Sequence, residues 1–240
     1  MTITISSSLE GALRAATDEA RRRRHREATL DHLLRTLLRD EAVVAVLRDC
    51  GCDTAHLIAE LDEYLELLPE LPRDSPRAPL PDDAYRRVIE LSVRRVAIAA
   101  KQEFEAADVL VQLLNDQESY AAMLLRAEGL SRLDLLRRIS HGKARPRLTA
   151  LPDDHLTPQH LLQIVLHNDH YTTMEFVVTI LREVFSCSEK EAAELMLHIH
   201  RHGRTVIGKY PGHLAKRRAE QVTAMAEKEG FPLLCTIEAL

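Results

Sequence analysis

Histidines alternate at His198, His200 and His202, and His198 shares a helical face with His202 at i and i+4. Two such imidazoles can hold zinc, but the glutamate of an HExxH pattern is missing, so metal catalysis is not expected. The next stretch, Gly203 through Gly208-Lys209, satisfies most of a phosphate-binding loop. Tyr210 stands where Ser or Thr would bind magnesium, and the expected order, helix then strand, reverses the strand-to-helix cradle. Arg21 to Arg24 form a basic run, yet Asp18, Glu19 and Glu27 flank it and neutralise it as helical neighbours. Cys50, Cys52, Cys187 and Cys235 make neither a CxxC pair nor a disulfide framework. No Ser/His/Asp or Cys/His arrangement emerges from the spacing. Binding chemistry is left. Asn168-Asp169 follows a strand-like run, and Met196, Ile199 and His200 recur at helical spacing. Each alone reads as ordinary: a turn, a core stripe, a surface histidine.

The elements that position these residues belong to a chain of 240 residues, 45% hydrophobic and 29% charged, the composition of a globular protein. Aromatics are 4% and Trp is absent, so the cores rest on Leu, Val, Ile and Ala, which suits helices. A net charge of −5 points neither to a nucleic-acid surface nor to an acidic disordered chain. No basic start precedes a long apolar run, and no segment reaches the roughly 18 apolar residues of a membrane span. A reducing cytoplasm is the expected location, with neither nucleic acid nor membrane as a partner.

The first half reads as helix. Leu9, Leu13 and Ala16 form one stripe, with Ser8 as its expected N-cap. Thr29 caps a second helix with His32-Leu33-Leu34 and Leu37-Leu38 inside. Val43 to Arg48 make a third, ended by Gly51, and Leu57, Leu61, Tyr64 and Leu65 a fourth. Leu71 to Asp83 carries four prolines and reads as a connection. Then the pattern repeats. Leu33-Leu34…Leu37-Leu38-Arg39-Asp40 matches Val109-Leu110…Leu113-Leu114-Asn115-Asp116, and Val46-Leu47-Arg48…Gly51 matches Leu124-Leu125-Arg126…Gly129. The offset is about 76 residues at first and 78 later. One four-helix unit alone would leave an apolar face uncovered, so the two copies are expected to pack together. The Thr29-Leu30-Asp31-His32-Leu33-Leu34 segment, the repeat and Ile139-Ser140-His141-Gly142 resemble the N-terminal domain of the Clp ATPases, nearest to that of ClpA. The resemblance implies a non-catalytic docking platform over residues 1–142, with repeats at about 8–68 and 83–142.

Residues 143–158, broken by Pro146, Pro152 and Pro158, read as a linker. As a flexible coil they would span roughly 20–24 Å. Beyond them the grammar is mixed. Leu161 to Leu166 is strand-like, Met174 to Phe185 helical, and Ser188 with Glu191 a capping box for a helix to His202 that Gly203 ends. Arg204 to Tyr210 is β-rich, His213 to Lys228 helical, and Leu233 to Ile237 a last strand. A small α+β domain over 159–240, with a three-stranded antiparallel sheet and three helices, is expected after the all-helical tandem repeat.

Residues 165–177, Val-Leu-His-Asn-Asp-His-Tyr-Thr-Thr-Met-Glu-Phe-Val, resemble the ClpS adaptors of the bacterial N-end rule. Met196-Leu197-His198-Ile199-His200, Gly203 through Gly208 and Pro232-Leu233-Leu234-Cys235-Thr236 agree in order and spacing. The resemblance implies that Asn168, Asp169, His170 and His200 surround a client's α-amino group. It likewise implies that Thr172, Met174, Val177, Met196, Ile199 and Leu233 line a pocket for its bulky apolar first side chain. Methionines suit such a pocket, because a flexible thioether adapts to different guests.

Four departures from that family bear on strength and docking. His170 replaces an acidic residue, which removes negative charge beside the ammonium; weaker binding, with further loss below about pH 6.5, is expected. Thr173 replaces a common proline and is expected to loosen the loop. Ile199 stands where Val is frequent, which narrows the pocket, and His213 with Lys216-Arg217-Arg218 makes the docking helix unusually basic. The expected protein is thus a cofactor-free adaptor and not an enzyme. It would carry N-degron clients to a ClpA- or ClpC-type AAA+ unfoldase and indirectly to ClpP. The other class kept open is a regulatory module, natural or engineered, in which the two halves dock on one another within a chain or between chains.

Overall fold

The computed structural model of the chain describes residues 3–72, 78–99, 101–142 and 161–240. It divides into two compact units, Met1–Leu135 and Leu136–Leu240. The expected linker lies outside the described residues, as do residues 73–77 of the proline-rich stretch.

The first unit runs β1 (Thr4–Ile5), α1 (Ser7–Arg22), β2 (Glu27–Ala28), α2 (Leu30–Leu37), α3 (Glu41–Asp49) and α4 (Thr54–Leu67). It continues with β3 (Leu80–Pro81), α5 (Asp83–Ile98), β4 (Glu103–Phe104), α6 (Ala106–Leu114), α7 (Tyr120–Ala127) and the start of α8 (Arg132–His141). Ser6, two residues earlier than expected, caps α1 by accepting from the Leu9 amide. The two-residue strands were not legible as such. β1 pairs in parallel with β4 through Thr4 opposite Glu103, and β2 with β3 through Glu27 opposite Leu80. The 76-residue offset exchanges these two pairs, since it carries Thr4 to Leu80 and Glu27 to Glu103. Each repeat therefore lends its leading strand to the other, and the duplication is interlocked as well as packed.

The extra residues of the second repeat lie between α6 and α7, where Asp116 Oδ2 accepts from the Glu118 and Ser119 amides at 3.1 and 2.8 Å. The core is aliphatic: Leu33, Leu34, Leu37, Leu57, Leu61 and Leu65 of the first repeat and Val109, Leu110, Leu113 and Leu125 of the second are all out of water. The Arg21–Arg24 run is neutralised largely as expected. Arg21 approaches Asp18 at 3.6 Å, Arg22 and Arg23 pair with the buried Glu19, and Arg24 pairs with Glu70. Glu27 pairs instead with Arg26.

The second unit begins at Leu136, inside α8. Its sheet has the order β6–β5–β7, all antiparallel, with β5 (Leu161–His167) between β6 (Arg204–Pro211) and β7 (Leu234–Ala239). The helices are α9 (Met174–Glu183), α10 (Glu189–His202) and α11 (Gly212–Glu229). Leu162, Ile164 and Leu166 fall on one face of β5 by the two-residue period of a strand. They join one core with Val177, Ile180 and Leu181 of α9, Ile199 of α10 and Val222 of α11. Along α11, Ala215, Ala219 and Ala226 are fully buried; residues this small let the helix lie close against its neighbours.

Candidate functional site

The site is built where β5 ends. Asn168 donates its amide to the Gly203 carbonyl at 2.7 Å, which fastens the loop to the C-terminal end of α10. Gly203 sits at φ 80° and returns its own amide to Ile199 O at 2.9 Å; an L side chain would be strained there. Asp169 then shapes the turn. Its Oδ1 accepts from the Tyr171 and Thr172 amides at 2.7 and 2.6 Å, and its Oδ2 from Thr172 Oγ1 at 2.7 Å. The carboxylate is buried and holds three donors of its own loop, so it acts toward the site chiefly as a fixed negative charge. Thr173 Oγ1 accepts from the Phe176 amide at 3.2 Å as the N-cap of α9. The residue that stands in place of the common proline is thus the N-cap of this helix.

A capping box positions α10: Ser188 Oγ accepts from the Glu191 amide at 3.3 Å, and Glu191 Oε2 from the Ser188 amide at 2.9 Å. Met196, Ile199 and His200 share one helical face. Ile199 is buried in the core with Val177 and Leu233, and Met196 packs against the same cluster. Four of the six expected lining residues are thus brought together. Thr172 is half-buried in the loop, and Met174, at the first position of α9, is 43% exposed. Around them Asn168 is half-buried, while His170 and His200 are exposed. The Asn168 side-chain amide and the His200 ring make no hydrogen bond among the described residues. One end of the arrangement is apolar and closed, the other polar with open hydrogen-bonding capacity.

The other two histidines of the alternating set have partners of their own. His198 and His202 stack at 4.1 Å, His198 Nδ1 lies 2.6 Å from Thr205 Oγ1, and His202 Nδ1 donates to His198 O at 3.1 Å. Among the described residues no group of three His, Cys, Asp or Glu could hold a metal. The phosphate-loop resemblance dissolves, because Gly208 and Lys209 lie within β6. Gly208 has a packing reason: a Cβ there would come 2.6 Å from Tyr210 Oη. The Arg218 guanidinium covers the Tyr210 ring at 4.2 Å, so one of the three basic residues on α11 packs on its own unit.

Sequence reasoning missed His141. Its Nε2 lies 3.0 Å from the Pro232 carbonyl, so that nitrogen carries the proton. Burial lowers its pKa from the usual histidine value, while the Asp169 carboxylate and the Pro232 carbonyl pull it upward. His167, at the end of β5, meets Thr236 Oγ1 at 2.8 Å and is also lowered by burial. No periodicity marks His141, because its partners lie 91 and 28 positions away along the chain.

A duplicated helical unit followed by a small α+β unit of this topology defines a two-part protein of the Clp protease system. Residues 4–128 match the Clp repeat (R) N-terminal domain, and residues 157–236 match the ATP-dependent Clp protease adaptor protein ClpS. The ClpS adapter of Desulfatibacillum aliphaticivorans is 46% identical over 78 residues, 32% of this chain and 75% of the relative. That of Nitratidesulfovibrio vulgaris (strain DP4) is 43% identical over 102 residues, 42% of this chain and 98% of the relative. Among solved structures, ClpS2 of Agrobacterium tumefaciens bound to L-phenylalaninamide is 36% identical, covering 32% of this chain and 94% of that one, with a TM-score of 0.32. The N-domain of ClpV from Vibrio cholerae is 19% identical, covering 57% of this chain and 82% of that one, with a TM-score of 0.48. The chain belongs to the Clp repeat N-terminal domain family through its first half and to the ClpS adaptor family through its last third. Its ClpS relatives are adaptors rather than enzymes. Among the described residues no helix is long and apolar enough to cross a membrane.

Proposed function

We propose that the second unit receives the amino terminus of a client protein, its ammonium at Asn168 and His200 and its bulky apolar first side chain against Met196, Val177, Ile199 and Leu233. The observation that carries this reading is the juxtaposition of one apolar cluster with two polar groups that have no partner within the described chain. An ammonium offers donors only, and a side-chain carbonyl and a neutral imidazole nitrogen are acceptors. Thr172 and Met174 form the rim. Asp169 contributes charge from behind its turn, and His170 stands at the surface beside it.

Energies explain why both features are needed. Burying a Leu or Phe side chain contributes about 1.5–3 kcal/mol. One charge-assisted hydrogen bond adds about 1.5–3 kcal/mol. A micromolar complex needs about 8 kcal/mol. Neither feature reaches that alone. The adaptor would then pass its client to a ClpA- or ClpC-type AAA+ unfoldase, and through it to ClpP, in the cytoplasm. Four cysteines without a disulfide among them accord with a reducing compartment.

Fluorescence anisotropy with peptides beginning in Leu, Phe, Tyr or Trp tests the reading, with N-acetylated and Met-Leu-initiated controls. L-phenylalaninamide serves as competitor. Binding that requires both the free amine and the bulky first residue is expected. Equal affinity for free and acetylated peptides would overturn it.

A further inference from the structure

Residues 136–142 lie outside both family matches, 4–128 and 157–236, yet they belong to the second compact unit. This stretch carries two contacts inside that unit. Arg137 Nη2 donates to Glu227 Oε1, near the end of α11, at 2.8 Å. One turn on, His141 Nε2 donates to the Pro232 carbonyl at 3.0 Å.

What His141 holds is the lead into β7. Gly230 and Phe231 are tied back to α11, their amides donating to Glu227 O at 3.1 Å and Ala226 O at 2.9 Å. Pro232 has no amide proton, so its carbonyl is the only backbone group by which that residue can be fixed. The next residue is Leu233, buried in the cluster that forms the apolar wall. Asp169, whose carboxylate shapes the Asn168–Thr172 turn, is near enough to act electrostatically on His141. One imidazole thus bonds the segment that carries Leu233 and lies within electrostatic reach of the carboxylate that orders the polar turn.

We propose that the C-terminal turns of α8 form a clasp on the client pocket, with His141 a positioning residue that sets Leu233 against the Asn168 turn. The proposal rests on the reading of the pocket given above. It assigns to the adaptor unit a segment that begins before the ClpS match, and it predicts that specificity for the client's first residue depends on that segment.

The test uses the full chain carrying His141→Ala or His141→Gln, since the glutamine amide can still donate to Pro232 O. Anisotropy with Leu- and Phe-initiated peptides should show about 3- to 10-fold weaker binding for the alanine variant, the range set by one net hydrogen bond. The glutamine variant should recover most of it. Hydrogen exchange of the ligand-free chain should speed up at residues 168–172 and 230–234 in the alanine variant only. Wild-type affinity in His141→Ala, or equal loss in both variants, would overturn the clasp. If the unmodified chain binds none of the peptides, the pocket reading fails by itself, and exchange decides the clasp: faster exchange in His141→Ala supports it, and unchanged exchange refutes it.

Discussion

Asp169 shows how a residue type can be legible while its work is not. An Asn-Asp pair after a strand offers two side-chain acceptors, and only the fold shows that Asp169 accepts from Tyr171 and Thr172 while the Asn168 side chain stays open. Asp169→Ala leaves buried donors unpaired and should lower stability by about 1–3 kcal/mol. Denaturant titration of the variant checks this, and a midpoint equal to wild type would remove the structural role. His170 is the complementary case, exposed beside the polar end of the site. A glutamate there adds a charge near the client ammonium, and an exposed pair contributes about 0.2–1 kcal/mol, roughly 1.4- to 5-fold in Kd. His170→Glu should therefore tighten free-amine peptides and leave acetylated ones unchanged; weaker binding of the free amines would place the ammonium elsewhere.

At the scale of the element, positioning is a matter of helix starts and stops. The capping box of Ser188 and Glu191 fixes where α10 begins, and Gly203 fixes where it ends. Between them Met196, Ile199 and His200 are carried to one face. Thr173 does the same for α9, and its φ of −73° lies within the range a proline ring imposes. Thr173→Pro loses a cap worth about 1 kcal/mol but restricts the unfolded chain by about 0.4–1 kcal/mol. The net change should lie between zero and about 0.6 kcal/mol of destabilisation, the difference of those effects. A large stabilisation in the melting curve would mean that threonine does loosen the loop.

Across the molecule, the helical unit carries a built-in acid sensitivity. His32 is fully buried, and its Nδ1 accepts from the Thr29 amide at 3.1 Å. Its Nε2 therefore bears the proton and donates to His25 Nδ1 at 2.9 Å. Burial, reinforced by His25, holds the His32 pKa down to about 4. The unfolded chain takes up this proton near pH 6.5, so below that pH unfolding gains a proton that the native state refuses. Stability from this group is complete above pH 6.5 and falls as pH drops toward 4, by about 2 kcal/mol at pH 5. Glu19 adds nothing to this window. Burial raises its pKa, but Arg23 and Arg22 overcome that and bring it to about 2, so its contribution is lost only below about 4.5. His56, its pKa raised by the hydrogen bond to Glu128, acts in the opposite sense, so the test compares His32→Phe with the unmodified chain. The urea midpoint should fall more between pH 7 and pH 5 in the unmodified chain, and equal pH slopes would contradict a buried neutral His32.

The sequence by itself determined what is local or repeated. Apolar stripes at helical spacing placed the helices, and the 76-to-78-residue offset disclosed the duplication. Capping residues at Thr29 and Ser188 marked helix starts, and four ordered motifs identified the adaptor half. Those features depend on neighbours within a few positions, or on comparing one stretch with another. Tertiary structure alone decided the rest. The crossed strands Thr4–Ile5 with Glu103–Phe104 are two residues long, too short for any periodicity. Arg218 packs on Tyr210, and His141 on Pro232, through partners that folding brings near and the chain keeps apart. Asp169 could cap its own turn or face a ligand with the same atoms, and only the position of the Tyr171 and Thr172 amides selects the first.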